Sequence, residues 1–136
     1  ASLIFVGLEI RENTQVTTLT LDRLIDQQSV ALNLSITGSA DFADILVRGE
    51  QDRDSLSPAE LARFDNYCLA RFGSYENLIA DFDAGFVGGK ELELWARHFE
   101  FRYGKPGYRQ FWLAHRNVYF ESLRNWVDIR YGIAAD

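Results

Sequence analysis

Four arginines and one glutamate are the side chains of this sequence whose type and spacing best suit the binding of a ligand. They are Arg63, Arg71, Glu76, Arg109 and Arg116. Arg63 and Arg71 flank the apolar face of one helical segment, while Arg109 and Arg116 stand two helical turns apart on another. If the two helices face each other, the guanidinium groups would line a cleft for an anion or another polar ligand.

The same five residues also fit a purely structural arrangement. Charged side chains beside an apolar helix face are usually solvated or engaged in ion pairs between helices. For Glu76 we predict an ion pair with at least one arginine from another helix. If such a pair is buried, removing Glu76 alone would cost roughly 3–5 kcal/mol of stability. The residues themselves do not decide between the ligand cleft and the ion-pair network.

The two histidines, His98 and His115, do not have the spacing of metal ligands. Helical bundles that bind two metal ions use Glu-x-x-His, because three-residue spacing turns both ligands to the same side. The residues three positions before the histidines are Trp95 and Trp112. The glycines between positions 85 and 89 lack the spacing and the preceding strand of a phosphate-binding loop. We therefore expect no metal site, no cofactor and no assignable catalytic residue.

The composition indicates one acidic globular domain over residues 1–136. The chain carries 14 Lys and Arg against 20 Asp and Glu, a formal charge of −6, and 14% of its residues are aromatic. An acidic chain without a basic block binds nucleic acid poorly, because phosphate neutralisation supplies most of that affinity, so we expect no nucleic-acid partner. The single cysteine, Cys68, excludes an internal disulfide, and its position among apolar residues predicts a buried structural thiol.

One long helix, predicted for residues 57–86, must position most of these side chains. Ser57 is a suitable cap, Pro58 suits the first helical position, and Glu60 completes a capping box. Apolar residues then recur at three- and four-residue spacing, which is typical of one buried helix face. The predicted face comprises Leu61, Phe64, Cys68, Phe72, Tyr75, Ile79 and Phe82.

Further helices are predicted on both sides of this central helix. Residues 8–37 contain neither glycine nor proline, and we predict one helix over residues 2–36, followed by a short helix that Ser39 caps and Gly49 ends. The later segments are a polar connection at 50–56, a helix at 91–103, a turn at 104–107, a helix from 108, a break at 121–122, a short last helix and a frayed tail at 133–136. Because short loops place neighbouring helices antiparallel, the predicted fold class is all-α. It is an up-and-down antiparallel bundle with a long first helix and short additional helices.

The first eight residues are nearly all apolar. Residues 1–8 are too few to cross a bilayer, which takes about 20, but they could be the end of a transmembrane helix that begins upstream. The alternative is an ordinary buried helix end. A helix over residues 2–36 is roughly 50 Å long against ~40 Å for the central helix, so its apolar end should overhang the bundle. Arg11, which follows the apolar residues, favours a cytoplasmic domain under the positive-inside tendency.

Several short segments resemble a group of uncharacterised bacterial α-helical proteins with a single N-terminal transmembrane helix. The segments are 8–13 (LEIREN), 60–64 (ELARF), 75–76 (YE), 106–112 (PGYRQFW) and the arginine at position 116. Their order over residues 4–126 carries the resemblance. Where relatives often have Ser-Pro-Glu-Phe before the last helix, this chain has ESLR at 121–124. The resemblance implies the helical fold and a membrane anchor, and it implies no activity.

Two functions are compatible with these features. The first is a non-catalytic helical domain that a membrane holds through the N-terminal segment and that acts through contacts with a protein partner. The second is a small-molecule sensor or enzyme whose cleft between helices is lined by the five charged residues. An open pocket around these residues would favour the second function, whereas side chains paired in a closed core would favour the first.

Overall fold

The computed structural model of the protein describes residues 2–133, with the side chains at positions 2, 3, 5, 14, 17–26, 28 and 37 left undescribed. These residues form six α-helices, two 3₁₀ turns and no strand, so the predicted all-α class is confirmed. The helices are α1 (Ser2–Thr37), α2 (Ala40–Gln51), α3 (Pro58–Asp83), α4 (Gly89–Tyr103), α5 (Pro106–His115) and α6 (Glu121–Tyr131). The 3₁₀ turns are Arg53–Ser55, between α2 and α3, and Arg116–Val118, between α5 and α6.

Helix α1 is continuous over its 36 residues, as the absence of internal glycine and proline after position 7 predicts. Leu32 and Ile36, near its C-terminal end, pack against the core. In contrast, every described residue from Ile4 to Val16 is exposed, which agrees with the predicted overhang of the N-terminal end. At 1.5 Å per residue the helix is roughly 54 Å long, so only its C-terminal part is needed to cover the bundle.

Helix α2 begins where the sequence predicts it and ends later. The hydroxyl of Ser39 accepts a hydrogen bond from the Phe42 amide at 3.2 Å and caps the helix. The predicted end at Gly49 is wrong, because the helix continues to Gln51. Gly49 is buried against the ring of Phe64, and its missing side chain serves this close contact rather than a helix stop.

Helix α3 is the centre of the fold. Its N-terminus has the predicted capping box, in which the Ser57 amide donates to the Glu60 carboxylate at 2.9 Å. The hydrogen bond from Arg48, together with those from Ser57, lowers the pKa of Glu60 to about 2. The helix ends at Asp83, earlier than predicted, because Gly85 adopts a positive φ of 81°.

The buried face of α3 differs in part from the predicted stripe. Phe82 lies outside it, because the helix is ending there and the Phe82 side chain is 37% exposed. Of the other predicted residues, Leu61 is half-buried and the rest are buried, and Tyr67, Arg71 and Leu78 are buried in addition. Helices pack on α3 from several sides, which makes its buried surface wider than one stripe.

The core is built largely from aromatic rings around Phe72, which is 1% exposed. Ring centroids from α3, α4 and α5 and from the segment before α6 lie 5.4–6.4 Å from the Phe72 ring. They belong to Tyr75, Phe99, Tyr108, Phe111, Trp112 and Tyr119. Aromatic side chains from the central helix and from three later segments therefore meet in one cluster.

The later segments follow the prediction with shifted boundaries. Helix α4 begins at Gly89 and α5 at Pro106, both two residues earlier than predicted. The polar connection at 50–56 includes a 3₁₀ turn, and the break before the last helix lies at 116–120 rather than at 121–122. The predicted frayed tail lies outside the described residues except for Ile133, as Ala1 does at the other end.

Among the described residues, no single helix is both long and apolar enough to cross a bilayer. One pair of segments, Ser29–Ile36 and Ala40–Gln51, is long and apolar enough when taken together, but the chain bends by 103° between them. In the second segment, Phe42, Ile45 and Leu46 are buried in the core, whereas Val47 is exposed.

Candidate functional site

The five charged residues predicted to share a cleft are distributed over separate contacts. Arg63 lies on the exposed side of α3, where its guanidinium pairs with Asp41 at 2.5 Å and lies 5.4 Å from the ring centroid of Phe42. Both partners belong to α2. The pair therefore fastens α2 to α3 at the surface, where an ion pair contributes little to stability.

Arg109 stabilises the end of a helix, and Arg116 connects a turn to a helix. The Arg109 guanidinium donates to the carbonyls of Tyr103 at 2.9 Å and Gly104 at 2.6 Å, at the C-terminal end of α4. A cation is favourable there, because the last carbonyls of a helix carry partial negative charge. Arg116 pairs with Asp128 of α6, and the two side chains are only 11% and 13% exposed. This nearly buried ion pair connects the turn after α5 to the last helix.

Glu76 caps a helix and does not pair with an arginine. Its carboxylate accepts a hydrogen bond of 2.5 Å from the backbone amide of Phe120, the residue that precedes α6. Within the described part of the chain, the predicted ion pair with an arginine of another helix is therefore wrong. A glutamate 44 positions away in sequence here performs the part that a glutamate three residues after the cap plays in a capping box, since it accepts from the amide of the residue that precedes the helix.

We expect Glu76→Ala, which removes the acceptor, to reduce stability by about 1 kcal/mol, the usual effect of losing a helix cap. A buried ion pair would instead lose roughly 3–5 kcal/mol. Urea unfolding measures the loss, and amide hydrogen exchange at Phe120 should become faster in the variant. Asp83→Ala, which removes an exposed carboxylate from the same helix, is the matched control and should leave both readouts unchanged. A loss above 3 kcal/mol with unchanged Phe120 exchange would contradict the capping role.

Arg71 is the exception among the five, because it is buried. It is 5% exposed, and its Nη2 donates to the Tyr67 hydroxyl at 3.2 Å and to Asn33 Oδ1 at 3.3 Å. Its guanidinium also lies 5.5 Å from the ring centroid of Tyr67. The Nε atom of Arg71 is buried and makes no hydrogen bond.

A second arginine, which the sequence pattern did not indicate, contacts a tyrosine on the same face of α3 as Arg71. Arg102 of α4 donates from Nη1 to the Tyr75 hydroxyl at 3.3 Å and to the His98 carbonyl at 3.2 Å. Tyr67, Arg71, Tyr75 and Arg102 are here named the arginine–tyrosine cluster. Among the described residues, no carboxylate forms a hydrogen bond or ion pair with either arginine of the cluster. The cluster thus holds two guanidinium groups next to two phenol hydroxyls.

The electrostatics of Tyr75 reflect this arrangement. Burial raises the pKa of the Tyr75 hydroxyl, and the positive charges of Arg102 and Arg71 act in the opposite direction. Sequence spacing contained part of the signal, because positions 67, 71 and 75 recur every four residues and therefore share one face of α3. An arginine between two tyrosines on an apolar face was recognisable as a buried charge. The contribution of Arg102 depends on how α4 packs on α3.

A separate polar network joins the first 3₁₀ turn to α3 and α5. Arg53 makes a two-point ion pair with Asp65 at 2.8 and 2.7 Å, and its backbone amide donates to Gln110 Oε1 at 2.8 Å. His115 Nε2 lies 3.2 Å from Arg53 Nη2 and 3.3 Å from Asp65 Oδ2. Nε2 accepts from Arg53 in one tautomer of the ring and donates to Asp65 in the other, so either tautomer joins the network. The network holds the 3₁₀ turn, α3 and α5 together.

His115 and Cys68 occupy packing positions. The imidazole of His115 lies against the Phe111 ring, with centroids 4.9 Å apart. Cys68 is fully buried, as predicted, and burial raises the pKa of its thiol far above the usual range. A thiol of this kind is a poor nucleophile. No three His, Cys, Asp or Glu side chains of the described residues are grouped closely enough to hold a metal ion.

A groove of about 490 Å³ runs between α1 and α3, close to the arginine–tyrosine cluster in sequence. Its floor on α3 is formed by small side chains, and its lining residues are Ala31, Leu32, Ser35, Ala70, Gly73, Ser74, Glu76 and Asn77. Of the five predicted site residues, only Glu76 lines it. The groove and the predicted charged cleft are therefore different features.

In the described part of the chain, the arginine–tyrosine cluster therefore differs from the other polar contacts, in which carboxylates or backbone groups meet the charged side chains and hold helices together. Neither the cluster nor the Arg53 network places a nucleophile beside a base and an oxyanion donor, the combination that acyl transfer requires. Comparison of the chain with protein-family models, curated proteins and solved structures finds no match.

Proposed function

We propose that this protein is a non-catalytic helical domain that associates with a membrane through the N-terminal end of α1 and acts through protein contacts. The observation that carries the proposal is the exposure of apolar residues at that end. The side chains of Ile4, Val6, Leu8 and Ile10 are all exposed, although each is aliphatic.

These residues do not lie on one face of the helix. At 100° per residue, Ile4 and Leu8 are 40° apart, whereas Val6 points about 200° away from Ile4. A helix end that is apolar on opposite sides cannot be covered by packing one face on the bundle, and such helices are typical of a protein core or a bilayer. The charged residues Glu9 and Arg11 follow at once, which places the end of the apolar environment near position 8.

The contacts of the predicted site residues support a non-catalytic domain. Arg63 pairs with a carboxylate, Arg109 with helix-end carbonyls and Glu76 with a backbone amide. These side chains perform structural tasks and do not converge on a common opening. The resemblance to helical proteins with one N-terminal transmembrane helix implies the same arrangement, and the position of Arg11 favours the cytoplasmic side for the domain.

Exposed aromatic side chains on the bundle support contacts with a protein partner. Phe101 on α4 and Phe120 before α6 are both more than two-thirds exposed. Aromatic residues are enriched in the buried centres of protein interfaces and are costly to leave in water.

The membrane association can be tested by co-sedimentation of the 136-residue protein with neutral phosphatidylcholine vesicles. The protein should bind, and a triple variant with Ile4, Val6 and Leu8 changed to serine should bind at least tenfold more weakly, since a tenfold change needs only about 1.4 kcal/mol and each buried CH₂ contributes roughly 0.8 kcal/mol. The matched control changes three exposed aliphatic residues of the bundle to serine: Leu94, Leu113 and Ile129.

The control variant should bind vesicles as the unchanged protein does. Two results would refute the membrane proposal. One is the absence of vesicle binding by the unchanged protein, and the other is an equal loss of binding in both triple variants. Circular dichroism of all three proteins establishes that the helical content is retained, so that a loss of binding is not a loss of folding.

A further inference from the structure

We propose that the arginine–tyrosine cluster is a binding site for a small oxyanion, a phosphate or a carboxylate, held between Arg71 and Arg102. This site is independent of the membrane proposal, because it lies on the opposite end of α1 from the apolar residues. The ligand class follows from two properties of the cluster. It presents N–H and O–H donors, and none of the described carboxylates contacts its two arginines.

Arg71 has bonding capacity that its protein partners do not use. A guanidinium carries five N–H donors, and in Arg71 the buried Nε donor makes no hydrogen bond. The two bonds of its Nη2 atom, at 3.2 and 3.3 Å, are long and end on uncharged oxygens of Tyr67 and Asn33. A buried cation with long bonds to neutral groups and one unused donor is costly unless an anion completes it.

Arg102 adds a second positive charge to the same place. Its guanidinium reaches the Tyr75 hydroxyl at 3.3 Å, and Tyr75 experiences the charges of both Arg102 and Arg71. Each phenol oxygen accepts from an arginine and keeps its own O–H to donate. Two guanidinium groups and two phenol hydroxyls therefore offer only donors and positive charge to a ligand, which is the chemistry that recognises an oxyanion.

Two acidic side chains of α2 that could supply a counter-charge, Asp41 and Glu50, are engaged elsewhere. Glu50 is held by Lys105 and by the Tyr108 hydroxyl, the latter at 3.0 Å. Asp41 pairs with Arg63. Within the described part of the chain, the protein thus supplies no counter-charge in contact with the cluster.

The cluster lies one layer below the surface. Asn33 of α1 is exposed and Arg102 of α4 is half-buried, so Arg71 is covered by side chains that themselves face solvent. The amide oxygen of Asn33 occupies a position in which a charged oxygen would accept a stronger hydrogen bond. An incoming oxyanion would replace this amide oxygen at Arg71 Nη2 and bond the Nε donor as well.

Thermal melting of the full chain with inorganic phosphate or acetate, at constant ionic strength, tests the site. At a ligand concentration ten times the Kd, Tm should rise by roughly 5 °C for a domain of this size. Arg71→Gln and Arg102→Gln should each abolish the rise. Arg63→Gln, which removes an exposed arginine of the same helix, should retain it and thereby account for any general salt effect.

A second experiment supplies the missing charge from the protein itself. Asn33→Asp places a carboxylate 3.3 Å from Arg71 Nη2, so this variant should melt several degrees higher than the unchanged protein and no longer respond to phosphate or acetate. Asn77→Asp makes the same change on α3, six residues beyond Arg71 and about 9 Å along the helix. It should leave Tm and the anion response unaltered.

Each outcome decides the proposal. It is supported if one or both anions raise the Tm of the unchanged protein and Asn33→Asp removes that response while Asn77→Asp does not. It is overturned if neither anion raises Tm, or if the rise is equal in the Asn33→Asp and Asn77→Asp variants. These two variants retain both arginines, so the decision stands even if Arg71→Gln does not fold. Response to phosphate alone or to acetate alone identifies which oxyanion the site takes.

Discussion

Replacing Gly107 with alanine should lower the free energy of unfolding by about 3 kcal/mol or more, because overpacking of this severity exceeds what a core usually accommodates. Gly107 is buried at the second position of α5, where that helix meets the C-terminal part of α2. A methyl group there would overlap the carbonyl oxygen of Gly49 and press on the backbone of Glu50. The atoms that the methyl group would meet are all backbone atoms of Gly49 and Glu50, so no side-chain rotation relieves the overlap. Urea unfolding of the variant measures the loss.

Gly73→Ala is the matched control for this prediction. Gly73 lies inside α3, and a methyl group added there meets no atom within 4 Å. Because alanine is the better helix former by roughly 0.8–1.0 kcal/mol, this variant should be at least as stable as the unchanged protein. The close approach of α2 and α5 would be refuted if the two variants unfolded at the same urea concentration.

Phe72→Ala should destabilise the protein by about 3–5 kcal/mol, the range for a large aromatic residue in a well-packed core. Phe72 is 1% exposed, and its ring contacts aromatic rings contributed by α4, α5 and the segment before α6. Truncation leaves a cavity that these large rings cannot fill without moving their helices. Denaturant unfolding measures the effect, with near-ultraviolet circular dichroism as a report on the packing of the rings.

Phe120→Ala is the control, because it removes the same ring from the surface. Phe120 is 73% exposed, and its backbone amide, which Glu76 binds, is unaffected by the change. Its effect should stay within about 0.5 kcal/mol, as for most surface substitutions. Equal losses for Phe72 and Phe120 would contradict the assignment of Phe72 to the centre of the core.

The helices of this protein were largely predictable, because their signals are local. The long uninterrupted segment before Gly38 predicted α1, and the hydroxyl of Ser39 caps α2 as its position suggests. The capping box at Ser57 and Glu60 fixed the start of α3. Each of these features depends on residues within one helical turn, so the sequence contains all of the relevant physics.

Helix ends and boundaries were less predictable when glycine was the signal. Glycine is the residue type most typical of a helix end, yet Gly49 lies inside α2. The ring of Phe64 occupies the position that a side chain at residue 49 would take. Gly107 was assigned to a turn, but it is a helical residue that permits the backbones of α2 and α5 to meet. A glycine means either conformational freedom or close approach, and only the neighbour in space distinguishes the two.

The charged residues show the same division more sharply. Their types and spacing on each helix are properties of the sequence, and they selected Arg71 as one of five candidates. Whether a charge is buried, and which group it meets, depends on helices distant along the chain: Glu76 meets the amide of Phe120, 44 positions away, and Arg102 of α4 meets the hydroxyl of Tyr75 on α3. The sequence by itself determined the all-α class, the central helix and the apolar N-terminal end, because propensity, capping and periodicity act within a few residues. Only the tertiary structure decided which of the described arginines meet a carboxylate and which meet carbonyls or hydroxyls, because electrostatic partners are set by packing between helices.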